Sequence, residues 1–463
     1  MPELGAYNLQ DLDQLHKLAQ EEYNVRQLAI QRRLKYYEGD HKKWMIDPVS
    51  RKPTAENVTI NVTRKIIDQS VSFLMGQPPV IETGDDSIDA QIEIITDANK
   101  DDLFYTVLGE SGAVSGHNFI KIIPDPEYPG GIRWVMQDPE LVSVFWSPSD
   151  GQTPIAYKIE WKSGRTDYRQ DIVKMGVVTD GGEMNPTAES WLILDMKREG
   201  SGNWELTSQQ TWQYPFAPIV DWQNLPDYTS YYGLSDISAL DLNDSINFTA
   251  SNINRILKYH AHPKTIATGV KKEDIQQTSV NGMWSIENEN AKIYNLEMQS
   301  DLESSMAYLM YLQGEFYTQQ RAVDITTIKD RLGQLTNFGI RVLFGDALAK
   351  NSTKQMLYGY GLKELVYRSL YILGMQIPAD SIDVKFADPL PVNTIEVAQQ
   401  VKVELESGTI SKQTGSETLG HDWEVEQERM SAEKQESAGD IGQQLADAVR
   451  RFDTINADEA ANG

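Results

Sequence analysis

Residues 232–260 read YGLSDISALDLNDSINFTASNINRILKYH, and the spacing of their apolar positions sets the architecture. Leu242, Ile246, Ile253 and Ile256 or Leu257 recur at helical intervals and make one apolar side. Asn243, Asn247, Ser251 and Asn254 line the opposite side as an uncharged polar stripe. Asp236, Asp241 and Asp244 lie early, Arg255 and Lys258 late, the order a helix dipole favours. The pattern predicts one long amphipathic helix from Ser235 to about His260, stopped by Pro263.

Working outward, the N-terminal side is first helical and then extended. Asn8 to Tyr37 and Asn61 to Met75 read as helices, the second with Gly76 as a left-handed cap and Pro78-Pro79 as a stop. Shorter helices are expected at Ser87 to Asn99 and Leu103 to Gly116. Seven short β-branched or aromatic runs follow between Phe119 and Gln209, separated by turns such as Pro129-Gly130-Gly131 and Ser149-Asp150-Gly151. They predict an antiparallel β region of about one domain. Seven of the ten tryptophans lie from Trp134 to Trp222, and the reading given to them is core and sheet surface.

On the C-terminal side, Thr265 to Leu296 reads as a compact insert of short strands with Asn281-Gly282 as its hairpin turn. Leu302 to Arg321 is helical, Val323 to Asn337 is a polar loop, and Phe338 to Leu373 is a long helix interrupted by Gly345, Gly359 and Gly361. One strand, Ile382 to Phe386, precedes a helix at Thr394 to Ser407 and an acidic tail. From Glu404 onward there are fourteen acids against five bases, and Gln443 to Phe452 is expected as a last amphipathic helix.

Charge and composition narrow the function. The 463 residues carry 68 acids and 42 bases, a net charge of −26. Such a surface does not neutralise phosphates from outside, and it repels an anionic membrane. No run approaches the roughly 20 apolar residues of a membrane span, and the first twenty residues lack the basic start and apolar run of a signal peptide. With no cysteine, disulfides, thiolate metal sites and thiol nucleophiles are excluded. There is no Walker A loop, nucleophile elbow or HExxH pair. Gly109, Gly112 and Gly116 do not match the dinucleotide pattern. His260 and His262 form the one close histidine pair and are read as a solvated turn. No catalytic residue, metal or cofactor is expected.

Several segments, in order, resemble the portal proteins of tailed bacteriophages, in the branch common among long-tailed phages of Gram-positive hosts. They are Tyr36-Tyr37-Glu38-Gly39-Asp40-His41; Phe73-Leu74-Met75-Gly76-Gln77-Pro78-Pro79; Gly116-His117-Asn118-Phe119-Ile120-Lys121; Pro215-Phe216-Ala217-Pro218-Ile219-Val220; Tyr232-Gly233-Leu234-Ser235-Asp236; Leu335-Thr336-Asn337-Phe338-Gly339-Ile340; and Val384-Lys385-Phe386.

The resemblance implies an α+β portal fold: an α/β wing at 1–234, a stem helix at 235–261, a small β-containing clip at 262–300, and a second stem helix at 301–322. A tunnel loop at 323–337, a long kinked helix returning to the wing at 338–400 and an acidic helical crown at 401–463 complete it. It implies a non-enzymatic ring, usually a homododecamer, at one vertex of the virion head, through which double-stranded DNA is packaged and ejected. The implied partners are a terminase motor, a head–tail adaptor, and the major capsid and scaffolding proteins, with assembly in the host cytoplasm. Asp324, Lys329, Asp330, Arg331, Gln334 and Asn337 are the tunnel-loop candidates, with Lys329 and Arg331 as transient phosphate contacts. The Asn243, Asn247, Ser251 and Asn254 stripe is the candidate channel lining. The alternatives are another phage head or connector protein, and an acidic carbohydrate-active enzyme built on the Trp-rich β region.

Overall fold

A computed structural model describes residues 20–41, 57–146, 153–178, 184–200, 202–261, 264–269, 290, 292–296, 302–329, 335–390 and 394–432. The chain forms two compact units. One comprises Met1–Lys329 and Leu343–Pro389, the other Asp330–Val342 and Leu390–Gly463.

The first unit opens with α1 (Gln20–Glu38) and α2 (Val62–Met75). Asn61 caps α2 by accepting from the Arg64 N–H, as its position before the apolar run predicts. Gly76 departs from expectation: its φ of −65° is right-handed, so the prolines that follow end the helix rather than a left-handed cap. After β1 (Val80–Glu82) come α3 (Asp86–Ala98), capped by Asp85, and α4 (Asp101–Ser115), which ends on Gly116 at φ +94°. Only glycine adopts that backbone readily.

The strands expected as a single β region form two antiparallel sheets. β2 (His117–Pro124) is the centre of a three-stranded sheet, between β3 (Ile132–Gln137) and β9 (Ile219–Gln223). The other sheet is a meander of β4 (Val142–Trp146), β5 (Pro154–Ser163), β6 (Thr166–Val178), β7 (Met184–Glu199) and β8 (Glu205–Trp212). β9 pairs with β2, placing Phe119 opposite Asp221. β1 pairs with the distant β12 (Asp383–Lys385), placing Ile81 opposite Val384. Partners so remote leave little local pattern, and β1 and β9 are absent from the sequence-based set.

The long helix, α5 (Leu240–Ala261), begins five positions later than the expected start at Ser235. Ser235 and Asp236 are occupied elsewhere: the Ser235 hydroxyl and the Asp236 N–H both donate to the Ala113 carbonyl, at 2.7 and 2.9 Å. β10 (Lys264–Thr268) and β11 (Lys292–Leu296) pair antiparallel as the expected insert, while Asn281-Gly282 lies outside the described residues. α6 (Leu302–Gln319) and the single turn α7 (Ile325–Ile328) follow. The helix expected from Phe338 is two, α8 (Asn337–Leu343) and α9 (Gly345–Ile372), parted at Phe344.

α9 is the spine of the first unit. Its Tyr358, Leu362, Leu365, Val366 and Leu370 are buried in one cluster with Ile120 and Ile122 of β2, Trp222 of β9 and Leu108 of α4. Of the three glycines flagged in this helix, only Gly361 is there for close packing: a Cβ on it would stand 2.2 Å from the Trp222 indole. The second unit holds α8, α10 (Thr394–Glu406), α11 (Lys412–Thr418) and α12 (423–432). Glu396 accepts from the Asn337 N–H at 2.9 Å, at the start of α8, and Gly415 of α11 packs against Val401 and Leu405. The segment 443–452 lies outside the described residues.

At the heart of the first unit, the buried Asp236 carboxylate accepts from Lys354 Nζ at 2.7 Å and Lys350 Nζ at 3.2 Å. Burial alone would raise its pKa, but the two ammoniums outweigh burial and hold it well below the usual carboxylate range. A depressed carboxylate stabilises the fold above its unfolded pKa of about 4 and loses that contribution as pH falls through the folded value. Asp236→Ala strands two buried ammoniums and is expected to cost about 3–5 kcal/mol in denaturant unfolding. Gly361→Ala is expected to lose about 1–3 kcal/mol in the same assay, through overpacking against Trp222.

Candidate functional site

The polar stripe of α5 faces inward. Asn243 and Asn247 are 0% exposed and Ser251 is 1% exposed. Residues 57–60 belong to no helix or strand, so their amides need other acceptors. Ser251 Oγ accepts from the Val58 N–H at 3.0 Å, and Asn247 Oδ1 from the Ile60 N–H at 2.7 Å. That bond fixes the Asn247 amide, whose NH2 then donates to His41 Nδ1 at 2.8 Å. Asn243 points its own NH2 at the same nitrogen from 3.3 Å. With Nδ1 an acceptor, the proton sits on Nε2 and is donated to the Tyr36 carbonyl at 2.9 Å. The expectation that Asn243, Asn247 and Ser251 line a channel is therefore corrected: they grip the chain around them. Asn254 remains partly exposed.

What α5 exposes is a different face, including Asp241, Ser245 and Phe248. α6 is barer. Met306, Tyr308, Met310 and Tyr311 are exposed, the last two at 67% and 60%, while Leu312, Phe316 and Tyr317 supply its buried residues. α6 has no Lys or Arg, and its acids are Glu303 and Glu315. The two helices thus present a surface of apolar and small polar groups, with little positive charge to hold a polyanion.

In the expected tunnel loop, Asp324 does not pair with Lys329. Its carboxylate accepts from the Thr326 N–H at 3.0 Å and the Thr326 hydroxyl at 2.6 Å, capping α7. Lys329 follows that turn with its side chain exposed. Asp330, Arg331 and Gln334 lie outside the described residues. Asn337 is the first residue of α8.

The structure also gathers a group that no motif announced. His117 Nε2 donates to Asp221 at 2.9 Å, and the Tyr157 and Tyr231 hydroxyls donate to the same carboxylate. Burial raises the Asp221 pKa, but His117 and the tyrosines more than offset it, so the carboxyl sits below its ordinary value. His117 Nδ1 accepts from the Gly233 N–H at 3.4 Å. Every polar atom of the His–Asp pair is thus engaged, and the cluster ties 231–233 to β2 and β9. The pairing of β2 with β9 brings His117 to Asp221, and Tyr157 comes from β5 of the other sheet, so local sequence carried no signal. Trp134, Trp191, Trp212 and Trp222 are buried core residues, which removes most of the aromatic surface a sugar-stacking cleft would need. Among the described residues, no group of His, Asp and Glu is placed to hold a metal, and no helix is long and apolar enough to cross a membrane.

A family model described as "Phage portal protein, SPP1 Gp6-like" matches residues 16–440. The chain belongs to that family. This phage portal protein is α+β, with its helices and antiparallel sheets distributed as above. Among solved structures, a chain of the "Neck of empty GTA particle computed with C6 symmetry" is similar at TM-score 0.49 and 14% identity, over 78% of this chain and 90% of that one. Chains of the "Virion of native gene transfer agent (GTA) particle" and the "Neck of native GTA particle computed with C12 symmetry" each give TM-score 0.43, at 14% and 13% identity, over the same shares. The comparison with curated proteins finds no match.

Since Asn247 bridges Ile60 and His41, Asn247→Ala is expected to destabilise the portal protein by about 1–3 kcal/mol, through the buried donors and acceptors it orphans. Denaturant unfolding reads the loss directly. A variant with wild-type stability and altered DNA passage would restore Asn247 to a channel wall.

Proposed function

We propose that this portal protein closes into a ring, twelve copies by the family's habit, at one vertex of the virion head, and that double-stranded DNA passes along its axis during packaging and ejection. The observation that carries the ring is the bare face of α6: exposed methionines and tyrosines on a helix paired with α5 are surface a second copy covers. In this reading α5 and α6 form the stem, β10–β11 belong to the clip, the N-terminal helices and sheets form the wing, and 401–463 form the crown. Terminase and the head–tail adaptor dock on the ring, capsid and scaffolding proteins surround it, and assembly takes place in the host cytoplasm.

The charge supports a conduit. Duplex DNA carries about one negative charge per 1.7 Å of axis, and each Lys or Arg that neutralises a phosphate adds affinity. A ring built from chains of net charge −26 repels the strand and leaves it free to move. Work is supplied by a separate motor, and the ring provides the hole and the docking surfaces. The few phosphate contacts are assigned to Lys329 and Arg331, with Asp324, Asp330, Gln334 and Asn337 shaping the loop that presents them.

Negative-stain microscopy and light scattering of the purified protein are expected to give rings of about twelve copies with an axial hole; persistent monomers, with scaffolding protein present, would remove the reading. Met310→Glu places a charge in the face to be covered and is expected to shift assembly toward monomers by roughly tenfold in concentration or more. Lys329→Glu with Arg331→Glu is expected to slow DNA packaging in a reconstituted motor assay; unchanged packaging would remove the phosphate contacts.

A further inference from the structure

A cavity of about 440 Å³ opens where α1 crosses the end of α4, lined by Arg26, Arg33, Ser115, His117, Tyr232 and Leu234, with Asp227 at its margin. Arg26 and Arg33 are seven residues apart, on one face of α1. The Arg26 guanidinium donates to the Pro139 carbonyl at 2.8 Å and to Val142 O, and stands over the Tyr232 ring at 4.1 Å, while its Nε is buried with no acceptor. Arg33 donates only to the Ser115 carbonyl, at 3.3 Å. Among the described residues no carboxylate lies within ion-pair distance of either. The Asp227 carboxylate is engaged by the Thr229 N–H and hydroxyl. Burial pushes the Arg33 guanidinium below its ordinary value with nothing to offset it. In a chain with 68 acids against 42 bases, two guanidiniums left without a carboxylate are conspicuous. The lining includes exposed apolar side chains: Val25 is 70% exposed and Leu234 is 49% exposed. Arg and Tyr in a concavity with exposed apolar side chains suit a protein segment better than a free ion.

The complementary surface is on the same chain. Asp86, Glu93 and Asp97 recur along one exposed face of α3, beside exposed Ile94, and none has a Lys or Arg within ion-pair distance among the described residues. α3 leads into the start of α4, whereas Arg33 bonds its end. The 15 residues of α4 separate the two patches by about 20 Å, so they do not meet within one copy. A closed ring needs two different, mutually complementary faces on each chain.

We infer that the Arg33 cavity receives the acidic face of α3 from the neighbouring copy, so that the two patches form a repeated head-to-tail contact of the ring. The inference rests on the ring reading of the preceding section. The experiment compares wild type, Arg33→Glu, the pair Glu93→Arg with Asp97→Arg, and all three substitutions together. Light scattering over a concentration series reads the ring-to-monomer midpoint, and circular dichroism confirms folding. Each single-sided swap is expected to raise the midpoint by roughly tenfold or more, and the three together to return it to within about threefold of wild type. Rings unaffected by the single-sided swaps, or a defect that the combined variant leaves unrepaired, would overturn the contact while leaving the ring intact. Should Arg33→Glu unfold, the exposed α3 pair carries the test alone: unchanged rings there overturn the inference. A wild type that forms no ring under any condition fails the ring reading itself, and the contact with it.

Discussion

A single buried carboxylate organises the first unit. Asp236 accepts from Lys350 and Lys354 of α9 and from the Asn224 amide after β9, and its own N–H bonds the end of α4. Lys354 also reaches Ser70 of α2, and Lys350 the Gln320 carbonyl after α6. Two ammoniums enclosed away from water are costly unless a carboxylate sits between them, and the carboxylate is equally costly without them. The register of α9 against α2, α4 and β9 is therefore held tightly, and the apolar cluster on its other residues forms only in that register. Burial, with a contribution from the second ammonium, lowers the Lys354 pKa.

The interior elsewhere follows the same economy. Segments outside helices and strands receive side-chain acceptors, as 57–60 do from Asn247 and Ser251. The segment 231–233 is held by Asp221 and His117. Polar side chains that resemble a functional lining or a catalytic pair are consumed in holding chain to chain. The surface left for function is of another kind: apolar on α6, acidic on α3, and in the cavity on α1 two guanidiniums with no ion pair among the described residues.

Those surfaces fit the proposed ring, which would surround a strand without gripping it. Affinity for DNA grows with each phosphate neutralised, and the exposed parts of α5 and α6 offer few bases for it. Many of the cations among the described residues are held in ion pairs, in buried clusters or against backbone carbonyls.

The sequence by itself determined the α+β class, the positions of most helices and strands, the acidity that argues against a DNA grip from outside, and the family. Helical periodicity, β-branched runs with turn residues, and net charge are local or additive properties, legible without a fold. The candidate lining was not legible. The Asn243–Asn247–Ser251 stripe reads as a solvent-facing side because polar residues at helical spacing usually are one, and only tertiary structure brings His41 and residues 57–60 onto it. The same holds for β1 and β9, whose partners lie far along the chain, and for Ser235-Asp236, read as the start of the helix until Lys350 and Lys354 claim the aspartate. What tertiary structure decided was which polar groups are buried together, because that depends on pairings between segments a hundred or more residues apart.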